Sequence, residues 1–406
     1  VTLSASKDVV FEEMAFTDED DNLIKIANAD SLSGLFDEQE LVPEQETYMN
    51  STYFDEIYHA RTGYEFIHKL PVYEWTHPPL GKIFISIGIR LFGMTPFGWR
   101  FSGTLFGVLM LPVMYIFAKF LLRRTWLASV ITISFAFDFM HFVQTRISTI
   151  DVYVTFFIML MYLFIYVYLQ KSFYDTDLKK TLLPLGLCGI STGLAIACKW
   201  TGIYAAVGVA IIFFMIIYAR ADEYIAAKKA PDSPENAAII EKFPKYTIKT
   251  LLFCCIFFVI VPIAIYMLSY IPYLRANGEG IWGIWKNQTD IFTYHSKTVV
   301  ESTHAYSSPW YTWPLMIRPI WYYSCSFENG FKAGISAFGN PLVWWFGIAS
   351  MIFCIVLAIK NKNKTALFLI IAYAANFLPW APVTRTTFIY HYFPSVPFVV
   401  LMNGYA

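Results

Sequence analysis

The feature that most constrains this chain is a series of apolar runs that begins at Phe97 and recurs almost to the last residue. Each run is close to the ~20 residues that a helix needs to cross the hydrocarbon core of a bilayer. Of the 406 residues, 57% are hydrophobic and only 15% are charged, so a polytopic, all-α membrane protein is predicted. The predicted spans lie near 97–121, 126–142, 150–169, 182–198, 201–219, 249–272, 341–359, 365–381 and 386–403.

Charge balance and cysteine spacing argue against nucleic-acid binding, a disulfide framework and a zinc site. The 30 Lys and Arg residues balance 30 Asp and Glu residues, and no long basic stripe is present. The chain therefore lacks the electrostatic footprint of a nucleic-acid-binding protein, and no nucleic acid is expected as a partner. The six cysteines lie mostly in apolar runs without C-x-x-C spacing, which indicates neither a disulfide framework nor a zinc site.

The basic residues predict the orientation in the bilayer. By the positive-inside rule, loops rich in Lys and Arg face the cytoplasm. This places residues 1–96, the turns near 146 and 199, the loop 273–340 and the turn near 383 on the outer side. The cytoplasmic cations are Arg123, Arg124, Lys171, Lys179, Lys180, Arg220, Lys228, Lys229, Lys242, Lys245, Lys249, Lys360, Lys362 and Lys364.

Residues 1–49 form a separate segment on the outer side. Short alternating stretches flank the Asp-rich turn 17–22 and predict two or three β-strands. With so few apolar groups, residues 1–49 alone would make a marginal domain. We therefore expect them to be the end of a β-sandwich. A membrane domain over 50–406 follows. The alternative is a tail that orders only against that domain. Since no signal peptide or span precedes Val1, we also expect a longer chain with at least one earlier span.

The region 53–69 mixes apolar and charged residues in the pattern of an amphipathic helix lying on the outer surface. Asp55 and Glu56 near its start are candidates for a base and a second acid whose ionisation burial can tune. In the alternative interpretation, Thr52 and Asp55 form a capping box, and both acids only complement the helix dipole.

A second short helix is predicted from Leu80 to Phe92. Pro78 and Pro79 suit its first turn, and its length of about 20 Å is short of the ~30 Å hydrocarbon core, which favours an interfacial position. The following proline holds His77 in an extended conformation, which could fix an imidazole near the acidic pair. Alternatively, the two prolines only shape a turn.

Four cations fall on the predicted outer side despite the positive-inside bias. Cations at membrane depth are costly and usually have a partner. Arg146 could pair with Asp151, and any of the four could reach lipid headgroups. Together they indicate a site for an anionic headgroup such as a phosphate. They are Arg100, Arg146, Lys199 and Arg385.

The outer loop 273–340 is rich in aromatic residues, especially from Ser307 to Tyr323. Such residues are typical of interfacial anchors, but they also suit stacking on sugars or clamping of a peptide. A different pattern, Gly186, Gly189 and Gly193, predicts close helix packing.

An ordered set of motifs resembles the protein O-mannosyltransferases, integral-membrane glycosyltransferases of the GT-C type. The resemblance spans roughly residues 51–406 and implies a GT-C architecture with interfacial amphipathic helices. The short β-rich segment that precedes it resembles the end of a discoidin-like sandwich. The motifs are Asp55-Glu56, 77–82 (HPPLGK), 99–101 (WRF), 146–151 (RISTID), 199–202 (KWTG), 308–310 (SPW) with 313–314 (WP), and 390–394 (YHYFP).

The resemblance implies inverting transfer of mannose from polyprenyl-phosphate mannose to Ser or Thr hydroxyls of proteins at the outer face of the cell membrane. It assigns catalysis to Asp55, as general base, and to Glu56. The outer loop is too short for the globular insert of eukaryotic members, which implies a bacterial enzyme, and a dimer is left open. Donor phosphate would bind Arg100, Arg385, Arg146 and Lys199, and substrate would be positioned by His77, Trp310 and His391.

Three alternatives stay open. A related lipid-phosphate-sugar transferase would act on lipid or polysaccharide hydroxyls. A transporter is disfavoured because the notable charges lie at the outer edge and no inverted repeat is evident. We expect no cofactor and no metal, because the donor presents a single phosphate. The competing arrangement is a divalent metal held by Asp55, Glu56 and His77.

Overall fold

The computed structural model describes residues 14–18, 23–27, 29–36, 39, 43, 45–298, 304–327 and 330–406. The chain divides into two units, Val1–Tyr53 and Phe54–Ala406. In the first, an antiparallel bridge joins Thr17 to Leu23, and a 3₁₀ turn (Ala29–Leu32) and helix α1 (Ser33–Phe36) follow. The strand predicted around residues 8–11 lies outside the described residues. That this unit is the end of a β-sandwich stays a proposal.

The second unit is built from helices, and its apolar composition agrees with the predicted membrane class. In the described part of the chain, six helical stretches are long and apolar enough to cross a bilayer: α4 (Pro96–Leu122), α7 (Asp151–Leu169), α8 (Leu178–Cys198), α9 (Thr201–Lys229), the continuous stretch Pro234–Asn277 and α14 (Pro341–Lys360). The remaining helices outside that stretch are α2 (Glu56–His68), α3 (Leu80–Phe92), α5 (Thr125–Ala136), α6 (Phe139–Gln144), α13 (Trp282–Thr293), α15 (Lys364–Phe377) and α16 (Val396–Tyr405).

The stretch Pro234–Asn277 contains α10 (Pro234–Cys255), a π-helical segment (Ile256–Ile260), α11 (Val261–Ser269) and α12 (Ile271–Asn277). The π-helical segment comes just before Pro262, which has no backbone N–H to donate to the helix. A local widening of the helix before a proline absorbs this lost hydrogen bond.

The span predicted over 126–142 is not one helix, so that prediction is wrong. Asp138 separates α5 from α6 and is fully buried. Its carboxylate accepts hydrogen bonds from the backbone N–H groups of Met140 (3.1 Å) and His141 (3.2 Å), from the N–H of Asn340 (3.1 Å), and from Nε1 of Trp344 (2.9 Å). The Asp138 carboxylate therefore caps α6 and also holds the start of α14. Because it does both, α5 ends before it.

The span predicted over 386–403 is also shorter than expected as an α-helix. It comprises a 3₁₀ segment (Ile389–Ser395) followed by α16. Pro394 and Pro397 cannot donate backbone hydrogen bonds, which favours the change of helix type between them.

The two short amphipathic helices form as predicted. Helix α2 packs against α3, and α3 packs against α4. Helix α3 follows Pro79 and ends before Gly93, whose φ of 80° is a conformation that glycine adopts readily.

The glycines of α8 confirm the prediction of close packing. A Cβ atom at Gly189 would lie 2.2 Å from the carbonyl oxygen of Phe257 in the π-helical segment. Gly186 faces the ring of Phe253, and Gly193 faces Pro262. Only the absence of a side chain lets the two backbones approach this closely.

The loop 273–340 contains structure that the sequence analysis did not predict. Besides α12 and α13, it forms a 3₁₀ turn (Trp310–Leu315) and an antiparallel hairpin of β1 (Ile320–Ser326) and β2 (Lys332–Ala337). Tyr322 of β1 is buried, and its hydroxyl accepts a hydrogen bond from Nε2 of Gln144 (3.0 Å). The hairpin is thereby fixed to α6.

Candidate active site

The two neighbouring acids, Asp55 and Glu56, have different surroundings. Glu56 is fully buried, and its carboxylate accepts hydrogen bonds from Nε and Nη2 of Arg100 (2.7 Å each) and from the N–H of Ser148 (2.9 Å). Asp55 is half-buried, and its carboxylate has no hydrogen-bond partner within the described part of the chain. Successive helical residues do not face the same way, so only one of the two acids is held by Arg100.

The capping-box alternative for Asp55 is wrong. Helix α2 begins at Glu56, so Asp55 is its N-cap residue rather than the third residue of its first turn. The Asp55 side chain makes no capping hydrogen bond, and Thr52 lies before the helix. The carboxylate of Asp55 is therefore available for another role.

Burial raises the pKa of Asp55 to about 7. The negative charges of Asp151 and Glu74 add to this rise, and the positive charge of Lys199 opposes it. A carboxylate with a pKa close to neutral pH can both accept and release a proton under ordinary conditions, as general base catalysis requires.

Lys199 and Asp151 form a buried ion pair with 2.7 Å between Nζ and Oδ1. The pairing of Arg146 with Asp151 considered from the sequence is therefore wrong. Arg146 is exposed, and its guanidinium lies 4.4 Å from the ring centre of Phe142.

Arg385 is half-buried after the 3₁₀ turn Leu378–Trp380. It donates one hydrogen bond to the carbonyl of Thr386 (3.2 Å), and its guanidinium lies 6.0 Å from the ring centre of Trp380. Burial lowers the pKa of Arg385, but an arginine stays charged in proteins. Among the described residues no carboxylate lies within ion-pair distance of it, so most of its donors are open to an anion.

Tyr390 connects the anionic and cationic groups of the site. The Nζ atom of Lys199 lies 6.0 Å from the centre of its ring, and the ring of Phe54, next to Asp55, lies at the same distance with edge-on geometry. Burial raises the pKa of Tyr390 well above its usual range, the negative charges of Asp55 and Asp151 add to the rise, and the positive charge of Arg385 opposes it. The predicted base and two of the predicted cations are thus brought to one place.

The loop before α3 is organised by Glu74, which is buried. Its carboxylate accepts hydrogen bonds from the N–H of Thr76 (2.9 Å), from Nδ1 of His77 (3.1 Å) and from Nζ of the buried Lys82 (2.5 Å). Lys82 also donates to the carbonyls of Glu74 (2.7 Å) and His77 (2.9 Å). Burial alone would raise the pKa of Glu74, but Lys82 and His77 hold it well below its usual range.

Glu74 orients the imidazole of His77 through Nδ1. The other ring nitrogen, Nε2, has no hydrogen-bond partner among the residues that the structure describes. The rings of His59 and His295 flank His77 at centre-to-centre distances of 6.2 and 5.4 Å. Burial lowers the pKa of all three histidines, to about 3 for His59 and His295, so the cluster is neutral near pH 7.

His391 and Trp310 pack against aromatic side chains. His391 is buried, and its ring lies 4.5 Å from those of Trp380 and Tyr390. Trp310 packs on Phe377 of α15 with 4.9 Å between ring centres. The sequence analysis gave no role to Glu74, Lys82 or His295, although a lysine within an apolar helix already indicates a buried partner.

The donor set does not fit the divalent-metal alternative. Glu56 is held by Arg100, Glu74 by Lys82 and Asp151 by Lys199. Asp55 is the acid of this group without an ion pair, and no cluster of three ligands suitable for a metal occurs in the described ranges. Mg²⁺ and Mn²⁺ favour several oxygen ligands, which this arrangement does not offer.

The fold is that of a membrane-embedded glycosyltransferase of the GT-C type. The structure is similar to the yeast (S. cerevisiae) protein O-mannosyltransferase Pmt1–Pmt2 complex bound to the sugar donor, with a TM-score of 0.71 and 13% identity over 88% of this chain and 81% of that chain. It is also similar to ArnT from Cupriavidus metallidurans bound to undecaprenyl phosphate, with a TM-score of 0.59 and 15% identity over 88% and 56% of the two chains.

The family follows from the sequence matches. Residues 94–274 match the family model of dolichyl-phosphate-mannose-protein mannosyltransferase, and residues 281–406 match that of the C-terminal four-transmembrane region of protein O-mannosyltransferase. The chain belongs to the protein O-mannosyltransferase family, as its motifs predicted. It is 24% identical over 400 residues to the polyprenol-phosphate-mannose protein mannosyltransferase of Mycolicibacterium smegmatis. This alignment covers 86% of this chain and 75% of the relative.

Proposed function

We propose that this enzyme transfers mannose from polyprenyl-phosphate mannose to Ser or Thr hydroxyls of proteins, with Asp55 as the general base. The family membership and the names of its bacterial relatives support the donor and the protein acceptor. The observation that carries the assignment of the base is the half-buried carboxylate of Asp55, which has no hydrogen-bond partner among the described residues and a pKa raised to about 7.

The reaction is a single displacement at the anomeric carbon of mannose. Asp55 removes the proton from the acceptor hydroxyl, and the oxygen forms a bond to the anomeric carbon as the bond from that carbon to the phosphate oxygen breaks. The electron pair leaves with the phosphate, which needs charge stabilisation but no proton. Attack from the face opposite the phosphate inverts the configuration. Asp55 afterwards releases its proton to solvent.

Arg385 is the leading candidate for binding the donor phosphate, because its guanidinium is half-buried and open to an anion. Lys199, whose Nζ lies 6.0 Å from the centre of the Tyr390 ring, supports it while its charge is shared with Asp151. Arg146 at the exposed rim is a candidate for the first contact with the headgroup.

Two assignments from the sequence change in this proposal. Arg100 was expected to bind the donor phosphate, and Glu56 was expected to act as the second catalytic acid. Because both Arg100 nitrogens facing Glu56 lie 2.7 Å from its carboxylate, we assign the pair to positioning the start of α2. This pair thereby fixes the backbone that carries Asp55.

We assign His77, His391 and Trp310 to positioning of the substrates. Because Nδ1 of the neutral imidazole donates its proton to Glu74, the open Nε2 of His77 can accept a hydrogen bond from a sugar hydroxyl. His391 acts through Tyr390, on which its ring stacks. Trp310 packs on Phe377 but is only half-buried, so its ring suits contact with the acceptor.

The proposal includes the place and the conditions of the reaction. The positive-inside pattern supports an active site on the outer face of a bacterial cell membrane. We propose catalysis without a divalent metal, because cations of the protein already neutralise Glu56, Glu74 and Asp151.

The direct test is a transfer assay with the purified full chain, polyprenyl-phosphate mannose labelled in the sugar, and a peptide rich in Thr and Ser. We expect labelled peptide and one polyprenyl phosphate released for each mannose transferred. Label in lipid or polysaccharide and none in peptide would favour the related transferase. Movement of intact donor across proteoliposomes without release of its phosphate would indicate a transporter.

The phosphate assignment is tested with Arg385→Gln, compared with Arg318→Gln as a matched control. Arg318 is exposed, and within the described ranges its guanidinium donates only to the carbonyl of Ser307 (3.3 Å). Hydrogen bonds to a charged group contribute about 1.5–3 kcal/mol, so we expect KM for the donor to rise roughly 10- to 100-fold in Arg385→Gln. An unchanged KM and turnover would remove Arg385 from the donor site.

A further inference from the structure

A large cavity lies far from the proposed active site. Its volume is about 1390 Å³, and it is formed by α7 and the residues that follow it, by α9 and by the first turns of α10 and α15. Arg220 on its wall is 21 residues along the chain from Lys199, or about 30 Å at 1.5 Å per helical residue. The cavity is at the end of the helices where the predicted cytoplasmic loops lie.

Arg220 is the feature that most needs an explanation. Only 5% of its surface is exposed, although the sequence alone placed it in a cytoplasmic loop. Its guanidinium lies between two aromatic rings, 3.8 Å from the centre of Phe173 and 4.6 Å from that of Tyr168. It donates to the hydroxyl of Tyr168 (2.6 Å) and the carbonyl of Lys171 (2.8 Å).

No carboxylate among the described residues forms an ion pair with Arg220. Two acids line the same cavity, but Glu223 accepts a hydrogen bond from Tyr174 (3.0 Å), and Glu235 lies in the first turn of α10. Lys171 and Lys364 also line the cavity. A buried cation without a counter-ion is costly, and a site where cations outnumber acids suits an anionic group.

The rest of the cavity wall is mostly apolar, apart from polar residues such as Gln170 and Ser172, and it lies on the outside of the helix bundle. The α9 side chains Ile211, Phe214 and Tyr218 are all exposed on this wall. On α15, the lining runs from Lys364 only to Ile371, or about 10 Å, which corresponds to less than one leaflet of the ~30 Å hydrocarbon core. The volume exceeds the about 300–1,000 Å³ of pockets that hold drug-sized molecules.

We propose that this cavity binds one anionic glycerophospholipid of the cytoplasmic leaflet. Its headgroup phosphate contacts Arg220, Lys171 and Lys364, and its acyl chains lie along α9 and α15. The combination of a cationic end and a one-leaflet apolar wall fits a phospholipid better than a long polyprenyl chain. The site is separate from the proposed donor site around Arg385.

The test uses the delipidated full chain in detergent and native mass spectrometry. The protein is titrated with dioleoylphosphatidylglycerol or with dioleoylphosphatidylcholine, which have the same acyl chains and differ in headgroup charge. We expect one tightly held phosphatidylglycerol and weaker binding of phosphatidylcholine. Each cation near a membrane surface contributes about 1 kcal/mol, so Lys364→Gln should weaken phosphatidylglycerol binding about fivefold.

Two further variants make the result specific. Lys360→Gln removes an exposed lysine that does not line the cavity and should bind as the wild type does. Ala219→Trp keeps every charge but adds an indole ring to the cavity wall next to Arg220 in the sequence, so it should weaken binding of the tightly held lipid. The proposal is overturned if both lipids bind equally, if Ala219→Trp binds the lipid as tightly as the wild type does, if Lys364→Gln matches Lys360→Gln, or if polyprenyl phosphate displaces phosphatidylglycerol one for one.

Discussion

At the scale of single residues, the account depends on how the protein treats two adjacent carboxylates. Glu56 is enclosed by Arg100 and Ser148, so its charge is compensated and it cannot reach a substrate. Asp55 is left with neighbouring charges but without a hydrogen-bond partner in the described ranges. Glu56 therefore contributes to stability, and Asp55 is available for chemistry.

The ion pair leads to a prediction about stability. Glu56→Gln leaves the Arg100 guanidinium facing a neutral group, and breaking a buried pair costs about 3–5 kcal/mol. Unfolding of the purified protein by titration with SDS measures this change. The control is Lys286→Gln, which removes a pair with Glu279 whose two side chains are 70% and 30% exposed and should cost less than about 1 kcal/mol. Equal costs would contradict the role of the Glu56 pair.

The raised pKa of Asp55 predicts how the rate depends on pH. The base must be ionised, so kcat/KM should fall as the pH drops below about 7 and level off above it. Burial lowers the pKa of the nearby His59 and His295 to about 3, so these two stay neutral across this range and do not produce the same limb. The profile is measured with labelled donor from pH 5 to 9. A flat profile down to pH 5 would contradict the environment assigned to Asp55.

At the scale of the elements, the sequence predicted what short-range patterns determine. The apolar runs located most of the long helices, and the proline and glycine signals located α3. The break at Asp138 could not be predicted, because the groups that satisfy its carboxylate include Asn340 and Trp344, some 200 residues away. The burial of Arg220 likewise depends on Tyr168 and Lys171, which belong to another part of the chain.

The packing of α8 gives a prediction at the same scale. Gly189→Ala would place a methyl group 2.2 Å from the carbonyl oxygen of Phe257, so the helices must separate, at a cost of about 1–3 kcal/mol. Gly280→Ala is the matched control, because an added Cβ there meets no atom within 4 Å among the described residues. Thermal unfolding followed by fluorescence measures both variants. Equal stability of the two would show that the contact does not limit the packing.

At the scale of the whole molecule, the candidate site collects residues from distant parts of the chain. Asp55, Lys199 and Tyr390 were identifiable from motifs, and Arg385 as a cation on the predicted outer side, but their arrangement around one tyrosine is a property of the fold. The ion-pair partners could not be assigned from sequence, since Arg146 is closer to Asp151 along the chain than Lys199 is. Lys199 pairs with Asp151 because the fold brings these two opposite charges together, although they are far apart in the sequence.

The predicted orientation is tested by labelling with a membrane-impermeant maleimide. In a Cys325→Ser background, Ser324→Cys places a thiol at an exposed position of β1 and should react in intact cells. Asp232→Cys lies in the exposed connection between α9 and α10 and should react only after the membrane is opened. Labelling of Asp232→Cys, and not of Ser324→Cys, in intact cells would reverse the assigned faces.

The measurement that tests the central claim most directly compares donor binding and turnover in Asp55→Asn. Asparagine keeps the size of the side chain but cannot accept the proton, and general base catalysis contributes about 10²- to 10⁴-fold. We predict that kcat falls by at least 10²-fold, while the Kd for polyprenyl-phosphate mannose stays within about threefold of the wild type, because the base acts on the acceptor. Full turnover by Asp55→Asn would contradict the account.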